Sequence, residues 1–163
     1  MAFLFSNYAS FRENLSIKRT SQEIALSIRQ AQVYSLSVKE SSVGSNIFPG
    51  YGIRFALSSP DSFILFADKA NLNYYDVGNG CGSMNTECVE NNKITTGDKI
   101  IAICGGADCT LSSMNIVFLR PIPFVTLITG GGTIYSDVSI RVSSPGGKIK
   151  TIKVLSSGQI SIE

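Results

Sequence analysis

The four cysteines of this chain are the residues best placed to do chemistry, and they fall into two close pairs. Cys81 is followed closely by Cys88, and Cys104 and Cys109 flank a Gly-Gly-Ala-Asp reversal between two strand-like runs. An even number at short spacing predicts disulfides in an oxidising compartment, and we favour the pairs Cys81–Cys88 and Cys104–Cys109. The other two pairings, a structural zinc site with unusually wide gaps, and reduced core thiols stay open as alternatives.

A second candidate site is an oxygen-rich stretch of a long polar insertion. Asp68, Asn71, Asn73 and Asp76 place carboxylate and amide oxygens close together along the chain. Because Ca²⁺ prefers six to eight oxygen ligands of these kinds, the stretch predicts a calcium site, although not one of EF-hand spacing. The alternative is an Asx-rich turn, in which the same side chains bond to their own backbone. No other cofactor is predicted.

Catalysis has little support in the sequence. The chain has no histidine, which removes the commonest general base and a partner for a cysteine nucleophile. Asp61, Asp98 and Asp137 are isolated carboxylates in the sequence. The glycine runs at 105–106 and 130–132 lack the lysine of a phosphate-binding loop, so we interpret these runs as tight turns. The sequence therefore predicts that the protein is not an enzyme.

Charge and hydropathy exclude further classes. The net charge is +2 with only 16% charged residues, so there is no strong signal for nucleic-acid binding. The short basic stretches Lys18-Arg19 and 148–153 are typical of solvated faces. No apolar run approaches the ~20 residues that cross a bilayer as a helix.

The elements that must position these residues divide into one helix and a β-rich remainder. Residues 11–40 contain no glycine or proline, and Ile17, Ile24, Ile28 and Ala31 recur at helical spacing. The pattern predicts a helix of roughly 45 Å that ends near Ser41, too long for a small sheet to cover along its whole length. We therefore expect its first turns to project, with Leu15 and Ile17 exposed.

All 15 glycines and all five prolines lie beyond the predicted helix, among runs that alternate like strands. The predicted strands cover residues 51–57, 62–67, 99–104, 114–119, 133–142, 148–154 and 159–162, with hairpins at the first and last pairs. Residues 68–93 are predicted to be a loop insertion without strands, and Tyr74 and Tyr75 in it are candidates for an exposed contact. The fold class is α+β, a long N-terminal helix packed on an antiparallel β-domain of two sheets. Residues 1–163 form one domain, with the helix in 1–42 and the head in 43–163.

Several strings resemble the type IV pilin superfamily, and more narrowly a minor pseudopilin of the type II secretion H class or a related minor pilin. They are Asn7-Tyr-Ala-Ser-Phe-Arg-Glu-Asn-Leu15, Ile24-Ala-Leu-Ser-Ile-Arg-Gln-Ala-Gln32, Tyr51-Gly-Ile-Arg-Phe55, Phe63-Ile-Leu-Phe-Ala-Asp68, Phe118-Leu-Arg-Pro121 and Gly158-Gln-Ile160. Their order along the chain carries the resemblance. The family's cleavage site, its Phe-Thr-Leu-Ile-Glu start and its membrane-spanning half-helix are not matched in this sequence.

The resemblance implies a structural subunit of an extracytoplasmic type IV pilus or type II secretion pseudopilus. Its partners would be other pilin or pseudopilin subunits and an inner-membrane assembly platform, and membrane contact would run only through the N-terminal segment that this sequence lacks. Filament assembly would use helix packing by Leu15, Ile17, Ile24 and Ile28. The implied location is the inner membrane and periplasm, or a cell-surface filament. The alternative is a surface-exposed module that binds DNA, secreted cargo or a glycan through the 68–93 loop.

Overall fold

The protein is an α+β structure in which one N-terminal helix packs on two antiparallel sheets, as the sequence predicts at this level. The computed structural model describes residues 3–41, 44–76, 81, 86–120 and 125–163, and the side chains of residues 3–10 lie outside that description. Its elements are α1 Phe3–Leu36, β1 Gly50–Ala56, β2 Ser62–Asp68, β3 Cys88–Lys93, β4 Lys99–Gly105, β5 Ser113–Phe118, β6 Val125–Ile128, β7 Ile134–Tyr135, β8 Asp137–Ser143, β9 Ile149–Leu155 and β10 Ile160–Ile162.

Helix α1 both begins and ends earlier than the sequence predicts. It starts at Phe3 and stops at Leu36, about five residues short of the expected end near Ser41. Val38 adopts a left-handed φ of 56°, and the Lys39 N–H donates to the Tyr34 carbonyl at 3.2 Å. This is the six-to-one hydrogen bond of a Schellman cap, here with valine at the position where glycine is usual. The absence of a glycine is the reason the end was placed too late.

The larger sheet has the strand order β3-β2-β1-β5-β6-β7, with β1 in the middle. Tyr51, Ile53 and Phe55 of β1 are buried on the face that joins the main core, as alternation along a strand requires. On the opposite face Gly52 makes room for the Phe66 ring. That second face is covered by the segment after β2, since Tyr75 packs against Phe66 with ring centroids 5.5 Å apart.

The smaller sheet has the order β10-β9-β8-β4 and closes the other side of the main core. Val138, Ile140 and Val142 of β8 face inward together with Ile152 and Val154 of β9, all fully buried. The predicted terminal hairpin is present as β9 and β10, and in it Ile160 pairs with Val154.

Three details of the strand prediction are wrong. The insertion at 68–93 is not strandless, because its last residues form β3 and pair with β2. The predicted strand 133–142 is divided at Ser136, so that β7 belongs to the larger sheet and β8 to the smaller. Strand β6 was missed. Strands β3 and β7 lie at the two edges of the larger sheet and β6 has only four residues, so none of them shows the sustained alternation on which a strand prediction depends.

Candidate functional site

The inner face of α1 is the surface that holds the helix on the head. Ile17, Ile24, Ile28 and Ala31 are 0–3% exposed and belong to the main core between the two sheets. The expectation that Ile17 is exposed is therefore wrong. The head covers the helix from Ile17 onward because both sheets contribute side chains beneath it, and the helical spacing of these positions keeps them on one face.

The outer face of α1 carries a second apolar row, and of the predicted assembly residues only Leu15 belongs to it. The members of this outer row share a fractional exposure of 52–63%; they are Phe11, Leu15, Leu26, Val33 and Leu36. At 100° per residue they fall within an arc of roughly 80°, on the side away from the buried row. The signal was present in the sequence as the spacing of 11, 15, 26, 33 and 36, and the sequence interpretation overlooked it.

Charged and polar side chains lie between the members of the outer row. Lys18 and Arg29 are exposed there, and Arg19 donates to Glu23 at 2.8 Å in an exposed pair one turn apart. The outer face thus combines large apolar groups with a few cationic ones. Such a mixture suits contact with another protein surface, where an apolar centre is surrounded by polar groups.

A buried carboxylate, Asp98, binds the helix to the head near Ile17, where the helix first becomes buried, and we call this set of hydrogen bonds the latch. Asp98, in the β3–β4 connection, is 0% exposed and accepts hydrogen bonds from three hydroxyls. Thr20 donates to its Oδ2 at 2.6 Å, Thr96 at 2.9 Å and Ser16 at 3.0 Å. Since Ser16 and Thr20 lie one helical turn apart, the latch fixes the rotation of the helix about its axis.

The other end of α1 is fixed by two further hydrogen bonds. Ser35 donates from Oγ to the Phe118 carbonyl at 2.7 Å in a buried contact. The Tyr51 hydroxyl donates to the Glu40 carbonyl at 2.9 Å, which holds the chain just beyond the helix. Because the helix is held at Ser16 and Thr20 and again at Ser35, it cannot rotate about its axis to bury the outer row.

The cysteines form the favoured pairs, Cys81–Cys88 and Cys104–Cys109, so the zinc and free-thiol interpretations are wrong. The first bond ties residue 81 to the start of β3, and the second closes the reversal after β4. Disulfides persist in oxidising compartments, which favours an extracytoplasmic location. No helix in the described part of the chain is both long and apolar enough to span a membrane.

The predicted calcium residues lie in a loop that folds over the larger sheet. Asp68 is 1% exposed, and its two carboxylate oxygens accept the N–H groups of Leu72 and Asn73 at 2.9 Å. Asn71 and Asn73 have left-handed φ values of 56° and 63°, and Asp76 is exposed. The Asp68 side chain therefore bonds to the backbone of its own loop, as expected from the alternative to a calcium site.

Glu87 also accepts backbone N–H groups of this loop, from a position just before β3. Its Oε1 accepts the Ala70 N–H at 3.1 Å and its Oε2 accepts the Asp76 N–H at 2.8 Å. Tyr75, a candidate for exposed contact in the sequence, is only 5% exposed, because its ring covers Phe66 and its N–H donates to Asn115. No group of three or more metal-ligating His, Cys, Asp or Glu side chains is found among the described residues. Residues 77–80 and 82–85 of the insertion lie outside the described residues.

Comparison with protein-family models, with curated proteins and with solved structures finds no match to this chain.

Proposed function

We propose that this protein is a structural subunit of an extracytoplasmic filament of the type IV pilus or type II secretion pseudopilus class, in the manner of a minor pseudopilin. The observation that carries the proposal is the outer row of α1, defined above as Phe11, Leu15, Leu26, Val33 and Leu36. It is an extended apolar surface on a helix whose opposite face is buried by its own head from Ile17 onward.

The length of the helix supports assembly through helix packing. Its 34 residues correspond to about 51 Å, and the first buried side chain described is Ile17. Leu15 and Phe11, one turn apart before that point, are more than half exposed. Helices that pack side by side at 8–10 Å interdigitate rows of this kind, so the partner surface is the corresponding helix of a neighbouring subunit.

The disulfides of the head support the same proposal, because they favour an oxidising, extracytoplasmic environment. Two disulfides close loops of the head, and the segment 68–76 is held by carboxylates to its own backbone. In this proposal the partners are other pilin or pseudopilin subunits and an inner-membrane assembly platform. The function is mechanical and needs no bond chemistry.

The test replaces the outer row in the native host. The variant Leu15→Glu, Leu26→Glu and Val33→Glu is compared with a control that places the same charges on exposed apolar residues of the head. The control changes are Leu72→Glu, Val89→Glu and Ile149→Glu, at residues 39–55% exposed. Both proteins should fold, as judged by circular dichroism and thermal unfolding, because none of the six side chains is buried.

We expect the helix variant to fall at least tenfold in the sheared filament or pseudopilus fraction, measured by immunoblot, while the control stays near the wild-type level. A tenfold loss corresponds to about 1.4 kcal/mol, which is within the range for burying one large apolar side chain. If the helix variant is incorporated like the wild type, or if the wild-type protein is not found in filaments, the proposal is wrong.

Calcium at Asp68, Asn71, Asn73 and Asp76 stays a prediction. Because both oxygens of Asp68 already accept backbone N–H groups, a cation would depend on Asp76 and the two amides. A rise in Tm with millimolar Ca²⁺ that Asp76→Ala abolishes would support the site. If the Tm is unchanged after adding either Ca²⁺ or a chelator, the prediction of a calcium site is wrong.

A further inference from the structure

A polar groove lies on the head between two turns, one that follows β4 of the smaller sheet and one that joins β6 and β7 of the larger sheet. One wall is the loop closed by Cys104–Cys109, and the other is the glycine-rich turn between β6 and β7. The groove has a volume of about 470 Å³. Its main polar and aromatic lining residues are Asp108, Thr110, Ser112, Gly130, Thr133 and Tyr135.

The groove offers hydrogen-bonding groups that the fold itself does not use. The backbone N–H groups of Gly130 and Gly131 bond to no described residue, and neither do the hydroxyls of Ser112 and Thr133. The turn that carries them is nevertheless well defined, because the Thr129 N–H donates to the Thr133 carbonyl at 3.0 Å and the Gly132 N–H donates back to Thr129 at 3.0 Å. These donors and acceptors are therefore held in place without being occupied.

One carboxylate and one aromatic ring complete the groove. Asp108 is exposed and accepts the N–H and hydroxyl of Thr110 at Oδ1, at 2.9 and 2.7 Å. A carboxylate has about four lone-pair positions, so it can still accept from a ligand. The Tyr135 ring is packed directly over Gly105, where an added Cβ would lie 2.6 Å from the ring, and this contact fixes its orientation.

The charge of the groove selects among ligands. Among the described residues that line the groove, Asp108 is the only ionisable acid or base apart from the Tyr135 phenol, and none is a lysine or arginine. The hydrogen bonds from Thr110 lower the pKa of Asp108, so the site carries a negative charge at neutral pH. Phosphates, sulfates and nucleic acids are therefore repelled, while ligand hydroxyls find acceptors in the carboxylate and hydroxyls and donors in the free amides.

We infer that this groove is a binding site for a neutral saccharide. Adjacent hydroxyls of one sugar ring would donate to Asp108 and accept from the amides of Gly130 and Gly131, and the apolar face of the ring would contact Tyr135. The groove is open to solvent, so a dissociation constant on the order of 1 mM is expected for a single sugar. The inference goes beyond assembly and does not depend on it, because the site lies on the head.

The test is a titration of the ¹⁵N-labelled full chain followed by NMR. The probes are glucose, galactose, mannose and N-acetylglucosamine, each to about 50 mM, with glucosamine and glucose 6-phosphate as charged comparators. We expect at least one neutral sugar to shift the amides of Gly130, Gly131 and Thr133 in a saturable manner. Glucose 6-phosphate should be weaker than glucose, because Asp108 repels its phosphate, and glucosamine should bind within about threefold of glucose, because water screens the attraction of the exposed Asp108 for its ammonium group.

Variants separate binding at this groove from general sugar effects. Asp108→Asn and Thr133→Val should each weaken the neutral sugar at least fivefold, whereas Asp61→Asn, which changes an exposed turn carboxylate elsewhere, should leave it unchanged. The spectrum of each variant shows whether the fold is intact. Absence of saturable shifts for every neutral sugar, equal affinity in Asp108→Asn, or binding of glucosamine more than about tenfold tighter than that of glucose would overturn the inference, the last in favour of a cation site.

Discussion

Removing the Asp98 carboxylate tests the idea that a buried acid, rather than hydrophobic packing alone, sets the position of α1. The substitution Asp98→Ala leaves the hydroxyls of Ser16, Thr20 and Thr96 without their acceptor. The oxygens of Thr20 and Thr96 are 2.7 Å apart and can still bond to each other, so the loss is smaller than the sum of three contacts.

The magnitude follows from these contacts. Hydrogen bonds to a charged group contribute about 1.5–3 kcal/mol each, so three of them set an upper bound of about 9 kcal/mol. Relief of the desolvation of Asp98 and the surviving threonine pair offset a large part of this. We expect a decrease of about 3 kcal/mol in the free energy of unfolding, with Asp98→Asn losing about half as much, since its amide oxygen still accepts.

The assay is urea unfolding at neutral pH, with the disulfides intact, followed by circular dichroism. With an m value of about 2 kcal/mol/M, a decrease of 3 kcal/mol moves the midpoint by about 1.5 M. Asp61→Ala, at an exposed turn, is the matched control and should stay within about 0.5 kcal/mol of wild type. A midpoint for Asp98→Ala that coincides with that of Asp61→Ala would refute the latch.

Three further changes probe the head. Gly52→Ala puts a Cβ 2.8 Å from the Ile116 carbonyl and 2.7 Å from the Phe66 ring, so it should lower the free energy of unfolding by about 2–3 kcal/mol in the same urea assay. Replacing Cys104 and Cys109 by serine together should lower it by about 2 kcal/mol, seen as a drop in Tm without reductant. Burial raises the pKa of Tyr51, so its contribution to stability is complete below pH 10 and is lost as the pH rises through the raised value; thermal unfolding from pH 8 to 11 should show a steeper loss for wild type than for Tyr51→Phe.

Each of these predictions has a comparison that isolates its cause. For Gly52 the control is Gly130→Ala, whose added Cβ meets nothing closer than 3.9 Å and should be nearly neutral. For the disulfide, reductant should lower the Tm of wild type toward that of the double variant and leave the variant less affected. For Tyr51, parallel pH curves for wild type and Tyr51→Phe would contradict the assigned role of the phenol.

Local sequence patterns were sufficient to predict part of the fold. The helix follows from a glycine- and proline-free stretch whose apolar residues recur at helical spacing, and the β1–β2 and β9–β10 hairpins follow from alternation on either side of short turns. The pairing of the cysteines also follows from local spacing, since each pair closes a loop of a few residues. In each case the determining contacts lie close together in the chain.

The parts that sequence reasoning missed depend on residues far apart. Ile17 and Leu15 are two positions apart and equally apolar, yet one is 3% and the other 52% exposed, because only the assembled sheets decide which side of the helix is covered. Asp98 looked like an isolated turn carboxylate until the fold brought Ser16 and Thr20, about eighty residues earlier, to its oxygens. The division of β7 from β8 at Ser136 likewise follows from the two sheets to which they pair.

The amino-acid sequence by itself determined that this chain has one long helix, antiparallel hairpins and two short disulfide-closed loops, since propensity and short-range spacing are properties of neighbouring residues. Tertiary structure alone decided that the helix keeps a second apolar row outside, that Asp98 locks its rotation and that a hydroxyl-lined groove forms between two separate turns. The physical reason is that burial and the convergence of polar groups are set by packing between distant segments, which no local pattern records.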